Sequence, residues 1–308
     1  MAASARAQGL ELLRVLGAMA VATLRVEGLK SQIDDQRGTI TLAQSRLSAG
    51  FGTPLEVDRL QIELSRTEQQ LIANEGDMRM AQVSCSSLLG MRCAAFASSE
   101  DARAFLDAWV ARARAANGSP EQRPDVRALD ATRRAAEAET ELAKAQAIPD
   151  PTVRVGYVYD QFVISGNQRH SFNVSVALPI PMFDAGEAQR AAAEARRVRA
   201  SAARARILEV ARARTAALRE VLESRQKRRE IIVSQMLPRA RGVVADLDKA
   251  ANARLIPVSD VIQARRTLSE LLINEAESHG DAFQTSVELL AETGSTPLDV
   301  VPQGESAQ

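Results

Sequence analysis

Residues 187–236 contain neither glycine nor proline and read as one uninterrupted helix. At about 1.5 Å of rise per residue, such a helix is on the order of 75 Å long. No compact domain of a 308-residue chain has room for it. It has to lie against other long helices in a coiled-coil-like bundle, because isolated helices gain most of their stability from packing. The composition fits. Aromatics make up 3% of the chain, and Ala, Arg, Glu and Leu dominate, as in long helices packed through small residues.

The flanks carry the same pattern. Residues 5–48 read as one helix, with Leu10, Leu13, Leu16, Leu24, Ile33 and Ile40 among its apolar positions, and it breaks at Gly50-Phe51-Gly52-Thr53-Pro54. A second helix over 55–89 places Leu60, Leu64, Leu71 and Met78 at three- and four-residue multiples and stops at Gly90. A short helix is expected around 102–115 and another over 125–146, with Asp125 as its cap. Pro238 is expected to end the long helix. A last helix then starts near Arg239, breaks at Leu255-Ile256-Pro257 and continues to Glu292. Shifting the first part by 204 residues lays Glu56-Val57 on Asp260-Val261, Leu64-Ser65 on Leu268-Ser269, Val83 on Val287 and Gly90 on Gly294. The punctuation repeats with the residues, which indicates duplication.

Between the helices lies the chain's β-signal. Val153, Val155, Tyr157 and Tyr159 share one face of a first strand, against Thr152, Arg154, Gly156 and Asp160. In a second strand Phe172, Val174, Val176 and Leu178 oppose Ser171, Asn173, Ser175 and Ala177. Ser165-Gly166-Asn167 supplies a turn, and Pro149, Pro151, Pro179 and Pro181 fence the pair, since proline gives a ladder no donor. Strands of about ten residues can cross a bilayer when tilted in a barrel. A strand apolar on one face and polar on the other meets lipid with the first and water with the second. The plainer reading is a soluble hairpin laid on a helical body.

Other signals exclude more than they assert. The chain has 39 basic and 39 acidic residues, so bulk charge points to no nucleic acid. The arginine-rich run from Arg190 to Arg214 reads as a solvated face, because the aromatics that would stack bases are missing. No run of about 18 apolar residues occurs. Residues 12–24 are fairly apolar and Ala18-Met19-Ala20 resembles a cleavage site, but the helical pattern runs on past it, so no signal peptide is read there. No nucleophile elbow, phosphate-binding loop, dinucleotide fingerprint or zinc motif is present, so neither an enzyme nor a cofactor is expected. His170 and His279 read as ordinary surface or helix residues, not metal ligands. Cys85 and Cys93 straddle a helix end. They could bridge in an oxidising compartment, but the plainer reading is two small buried hydrophobes.

Three segments together carry a family resemblance. They are Pro124-Asp125-Val126-Arg127-Ala128-Leu129, then Ala145-Gln146 to Pro149-Asp150-Pro151-Thr152-Val153, then Leu178-Pro179-Ile180-Pro181-Met182-Phe183-Asp184-Ala185-Gly186. Their order resembles the second repeat of TolC-like outer-membrane efflux channels. Ile256-Pro257-Val258-Ser259-Asp260-Val261-Ile262-Gln263-Ala264 onward, and the closing Leu290-Ala291-Glu292-Thr293-Gly294, resemble that family's last helix. The resemblance implies a mainly α fold of long antiparallel coiled-coil-like hairpins, with one β-hairpin contributing to a membrane barrel. It implies a homotrimeric, passive conduit in the outer membrane with a periplasmic helical part. Such a conduit would dock a periplasmic adaptor and an inner-membrane pump, and Val153, Val155, Tyr157, Tyr159, Phe172, Val174, Val176 and Leu178 would face the bilayer. Opening is expected as a change of coiled-coil twist at the periplasmic tip, near Pro238 and the Gly38 region. The family also has a secretion signal, a first helix and a first strand pair ahead of the helix that opens this sequence, so the chain reads as an N-terminally shortened member.

The expected organisation is a first helical hairpin over 1–93 lacking its strands, a connector with a short helix over 94–124, and a helix to the barrel over 125–148. The β-hairpin follows over 149–183, a second long helical hairpin over 184–294, and a loose tail over 295–308. The alternatives are a soluble periplasmic adaptor, which needs a lipoyl-like β-domain not seen here, and a structural coiled coil of the cytoplasm.

Overall fold

The structure, a computed structural model, describes residues 2–147, 150–161, 169–178, 186–253 and 256–295. Its helices are α1 (Ala2–Ser48), α2 (Pro54–Leu89), α3 (Ser99–Ala115), α4 (Pro124–Ala145), α5 (Glu187–Glu230), α6 (Leu237–Asn252) and α7 (Val258–Glu292), with strands β1 (Thr152–Tyr159) and β2 (His170–Ala177) between α4 and α5. The chain divides into two compact units. One comprises residues 1–123 with 211–308, the other residues 124–210, and α5 contributes to both.

In the larger unit α1 and α2 form an antiparallel pair. The chain reverses where Gly50 takes a positive φ of 81°, and Thr53 then caps α2 by accepting from the Glu56 N–H at 3.3 Å, with Pro54 opening the first turn. Ion pairs fix the register: Arg37 to Glu68 at 3.0 Å and Lys30 to Glu75 at 3.5 Å. Ile40, Ala43, Val57 and Leu60 fill the seam, with Leu64 and Ile262 against them. α5, α6 and α7 build the second such pair. Ile232, Leu237 and Leu271 are buried between them, and a fork from Arg265 to both oxygens of Asp248 (3.0 Å each) holds the far end.

The first pair meets the second through α1 and α7. Gly17 lies so close to the Phe283 ring that a Cβ would sit 2.1 Å from it, and a Cβ at Gly280 would sit 2.8 Å from Val21. Small residues thus allow the closest approach of the two helices. Beside this crossing α3 lays Ala102, Leu106, Trp109, Val110 and Ala113 into the main core with Leu13, Ala20, Leu24, Phe283 and Leu290. Ser98 caps α3, accepting from the Asp101 N–H at 3.1 Å. Met19 and Ala20 are buried in this packing, so the apolar stretch at 12–24 is part of the fold.

The offset has a counterpart in the positions of the helices. At the offset of 204 residues, α2 and α7 begin on equivalent positions, and a left-handed glycine follows the end of each, Gly90 at φ 68° directly after Leu89 and Gly294 at φ 74° two residues after Glu292.

Several expectations are corrected. Pro238 does not end the long helix. Residues Ile231–Met236 form a π-helical turn and α6 continues directly from it. The widened turn accommodates a ring that has no N–H to return to the preceding turn. α6 ends at Asn252 and α7 begins at Val258, after the break expected near Pro257, so Pro238 and Gly38 both lie inside helices. α4 opens at Pro124, with Asp125 in its first turn and not at its cap. Cys85 and Cys93 are not free hydrophobes: they are joined by a disulfide, with Cα atoms 5.9 Å apart.

In the smaller unit α4 and the first part of α5 run antiparallel. Arg204 grips both oxygens of Asp130 (2.6 and 3.3 Å) and Arg196 reaches Glu139 at 3.2 Å. The arginine-rich run therefore spends much of its charge on neighbouring carboxylates, as also in Arg197 with Glu194 and Arg212 with Glu121.

Candidate functional site

β1 and β2 make an antiparallel two-stranded sheet of eight residues each, shorter than the ten expected. The register pairs Val153 with Val176, Val155 with Val174, Tyr157 with Phe172 and Tyr159 with His170. Since strand side chains alternate, these eight share one face. Seven of them are among the eight apolar residues read from the sequence, and the other is His170; Leu178, the remaining residue of that reading, follows the last residue of β2. None is covered: the apolar members are between 49 and 76% exposed. A row of Val, Tyr and Phe left this open is unusual for a monomer in water.

One end of the face is aromatic. Tyr157 packs on Phe172 with ring centroids 5.0 Å apart, and the His170 ring stacks on Tyr157 at 5.9 Å and tilts against Tyr159 at 5.0 Å. Its Nδ1 lies within hydrogen-bonding reach of the Tyr157 hydroxyl. His170 is thus a member of this face. The period of two that links it to Phe172 carried that signal. The opposite face pairs Arg154 with Ser175, Gly156 with Asn173 and Val158 with Ser171. A Cβ at Gly156 would meet the Asn173 amide oxygen at 2.1 Å, so the glycine makes room for the side chain lying across it. Val158 is the apolar exception on this side, and Asp160 lies past the strand, its N–H donating to the Arg169 carbonyl at 3.0 Å. The turn Ser165-Gly166-Asn167 and the prolines Pro149, Pro179 and Pro181 lie outside the described residues.

The larger unit holds a second constellation that the sequence did not announce. His279 is buried, with Nδ1 3.2 Å from Asp107 on α3 and Nε2 3.9 Å from Glu275 one turn back on α7. Arg229 pairs with Asp107, and Arg103 donates to Glu275 at 3.0 Å. Burial pushes the Asp107 carboxyl up, but His279 and Arg229 outweigh it and hold it below its ordinary range. The cluster ties α3, α5 and α7 together. Among the described residues no group of three metal-ligating side chains stands close enough to hold an ion, and no helix is long and apolar enough to cross a membrane.

No protein-family model matches the chain, and neither does any curated protein. Solved structures do. The outer-membrane channel OprN superposes with a TM-score of 0.70 at 18% identity, over 93% of this chain and 65% of its own. The outer membrane protein VceC of Vibrio cholerae gives 0.70 at 17%, over 93% of this chain and 69% of its own. CusC, described in the context of transmembrane channel formation, gives 0.71 at 15%, over 92% and 67%. The fold is therefore that of TolC-type outer-membrane channels: long helical hairpins with an antiparallel strand pair. The chain spans about two thirds of the length of these channels, 65% of OprN.

Proposed function

We propose that this chain is a wall segment of an outer-membrane efflux channel, a passive conduit through which small molecules or ions leave the cell. β1 and β2 sit in the outer membrane, with Val153, Val155, Tyr157, Tyr159, Phe172, Val174 and Val176 toward lipid and Leu178 at the border. The helical hairpins lie in the periplasm and meet an adaptor protein, which links them to an inner-membrane pump that supplies the energy. The observation that carries this reading is the uncovered apolar face of a strand pair that is polar on its other side.

The assembly is a closed ring of copies, a homotrimer. Support comes from the duplication. Within the chain, α7 of the second half packs on α1 of the first, burying Ala276 and Val287 on one helix and Gly17 and Leu29 on the other. The equivalent positions 204 residues away are Ile72 and Val83 on α2, Val221 on α5 and Val233 in the π-helical turn that follows it, and all four are exposed. Each half thus lacks on one side the partner it has on the other, and a second copy supplies it head to tail.

Phe283 packs on Gly17, so the equivalent contact between copies brings residue 79 against residue 221. With the native cysteines already bridged, Arg79→Cys combined with Val221→Cys cross-links neighbouring copies into a closed trimer that fractionates with the outer membrane and conducts ions in planar bilayers. Protein that remains monomeric in the soluble fraction sinks the proposal. The disulfide speaks against the cytoplasmic coiled coil, since that compartment keeps thiols reduced.

A further inference from the structure

The channel reading gives the disulfide no role in conduction, and its two cysteines differ in their surroundings. Cys85 lies inside the last turns of α2 with no exposed surface. Cys93 is half-buried on residues 91–98, a segment without regular secondary structure between the α2 stop at Gly90 and the start of α3. Beside it runs an open groove lined by Arg79, Gln82, Val83, Ser86 and Arg92. The Cys93 N–H donates to Ser86 Oγ at 3.0 Å, one helical residue beyond Cys85, so the segment is held in register with α2 by more than the bridge. Three residues on, Phe96 packs into the main core, its ring 5.2 Å from that of Phe105 on α3.

Thiol–disulfide exchange requires in-line approach of one sulfur to another, and access decides which cysteine reacts. A sulfur enclosed in a helix cannot be approached by the disulfide of a second protein. A sulfur on an irregular segment beside a groove can. We propose that this chain is a substrate of a protein disulfide donor, a dithiol–disulfide oxidase of the compartment it enters, with Cys93 as the entry sulfur and Cys85 as the resolving one.

The steps balance without any further reagent. The Cys93 thiolate attacks one sulfur of the oxidase disulfide. That S–S bond breaks, the second oxidase sulfur leaves as a thiolate, and a mixed disulfide joins Cys93 to the oxidase. The Cys85 thiolate, eight residues away in sequence, then attacks Cys93 Sγ. The mixed disulfide breaks and the oxidase departs as its dithiol. Two electrons and two protons have passed from the cysteine pair to the oxidase. Segment 91–98 is then pinned to α2 from both sides of Gly90, which sets Phe96 and α3 against the core.

The test uses the full chain and a bacterial dithiol–disulfide oxidase whose resolving cysteine is replaced by alanine and whose remaining cysteine is preloaded as a mixed disulfide with thionitrobenzoate, so that attack expels the thionitrobenzoate anion and the protein–protein disulfide persists. With access deciding the rate, folded Cys85→Ser is expected to be captured covalently roughly tenfold faster than folded Cys93→Ser, and the difference is expected to vanish in concentrated urea. Equal capture of the two folded variants overturns the assignment of roles. Capture of both only in urea overturns the exchange on folded protein. Should either variant lose its helical circular dichroism, gently reduced wild-type chain serves instead. Iodoacetamide is then expected to label Cys93 before Cys85 in native buffer, and simultaneous labelling refutes the order. Wild-type protein recovered from the exported fraction with both thiols free refutes the whole scheme.

Discussion

Gly17 is tolerated only because it has no side chain. A methyl group there would enter the Phe283 ring, and one at Gly280 would press on Val21. Gly17→Ala is therefore expected to destabilise by about 1–3 kcal/mol in urea unfolding, the usual cost of forcing an extra carbon into a packed interior. Gly28, on the same helix, has nothing within 4 Å of where a Cβ would stand. Gly28→Ala is expected to stabilise by up to about 1 kcal/mol, the difference in helix propensity. A second residue-scale effect is acid sensitivity. A hydrogen bond from Arg212, helped by Glu121's own backbone and Ser119, holds the Glu121 carboxyl down to about 2 from its ordinary 4.5. Because the folded value is the lower one, the stabilisation is fully present above the unfolded value and fades as pH falls from 4.5 toward 2. Arg212→Ala should flatten the loss of thermal stability over that window; an unchanged slope would disprove the link. These residues were not legible as sites beforehand. Nothing in the local sequence of His279 or Glu121 names the partners, which come from α3 and α5, far away in the chain.

At the scale of elements, the sequence was most readable where one period ran undisturbed. The presence of α1, α2 and the start of α5, and the two faces of the strands, follow from spacing and from the flanking glycines and prolines. Spacing failed at Pro238, where proline's usual role as a stop was overridden by a π-turn; its Ile232, and Leu237 at the start of α6, are both buried with Leu271 of α7. Burial of those side chains favours continuing the helix over ending it. The hairpin itself offers a two-sided test. On the apolar face, Val155→Arg is expected to cost about 2–4 kcal/mol of membrane insertion, the charge penalty near the bilayer midplane. Asn173→Arg, on the polar face, should be tolerated. Outer-membrane yield of the two variants decides, and equal yields would contradict a lipid-facing role for Val155.

For the whole molecule, the repeat was visible as a handful of matched residues, but its meaning was not. Only the burial pattern reveals that positions equivalent under the duplication are covered in one half and bare in the other, as in Ala276 at 2% and Ile72 at 71% exposure. Ile72→Asp is accordingly expected to leave the monomer's stability within about 0.5 kcal/mol, as for surface changes generally. It should shift the assembly to monomers in native mass spectrometry or analytical ultracentrifugation, and an intact assembly would count against the head-to-tail contact.

In the proposed ring, two missing side chains bear on how many copies can meet. The tilt between neighbouring hairpins depends on how near α1 and α7 approach, and Gly17 and Gly280 set that spacing. Widening it by even one methyl group would change the angular step from each hairpin to the next. A circle that closes after a whole number of steps would become an open spiral, with no last wall to meet the first.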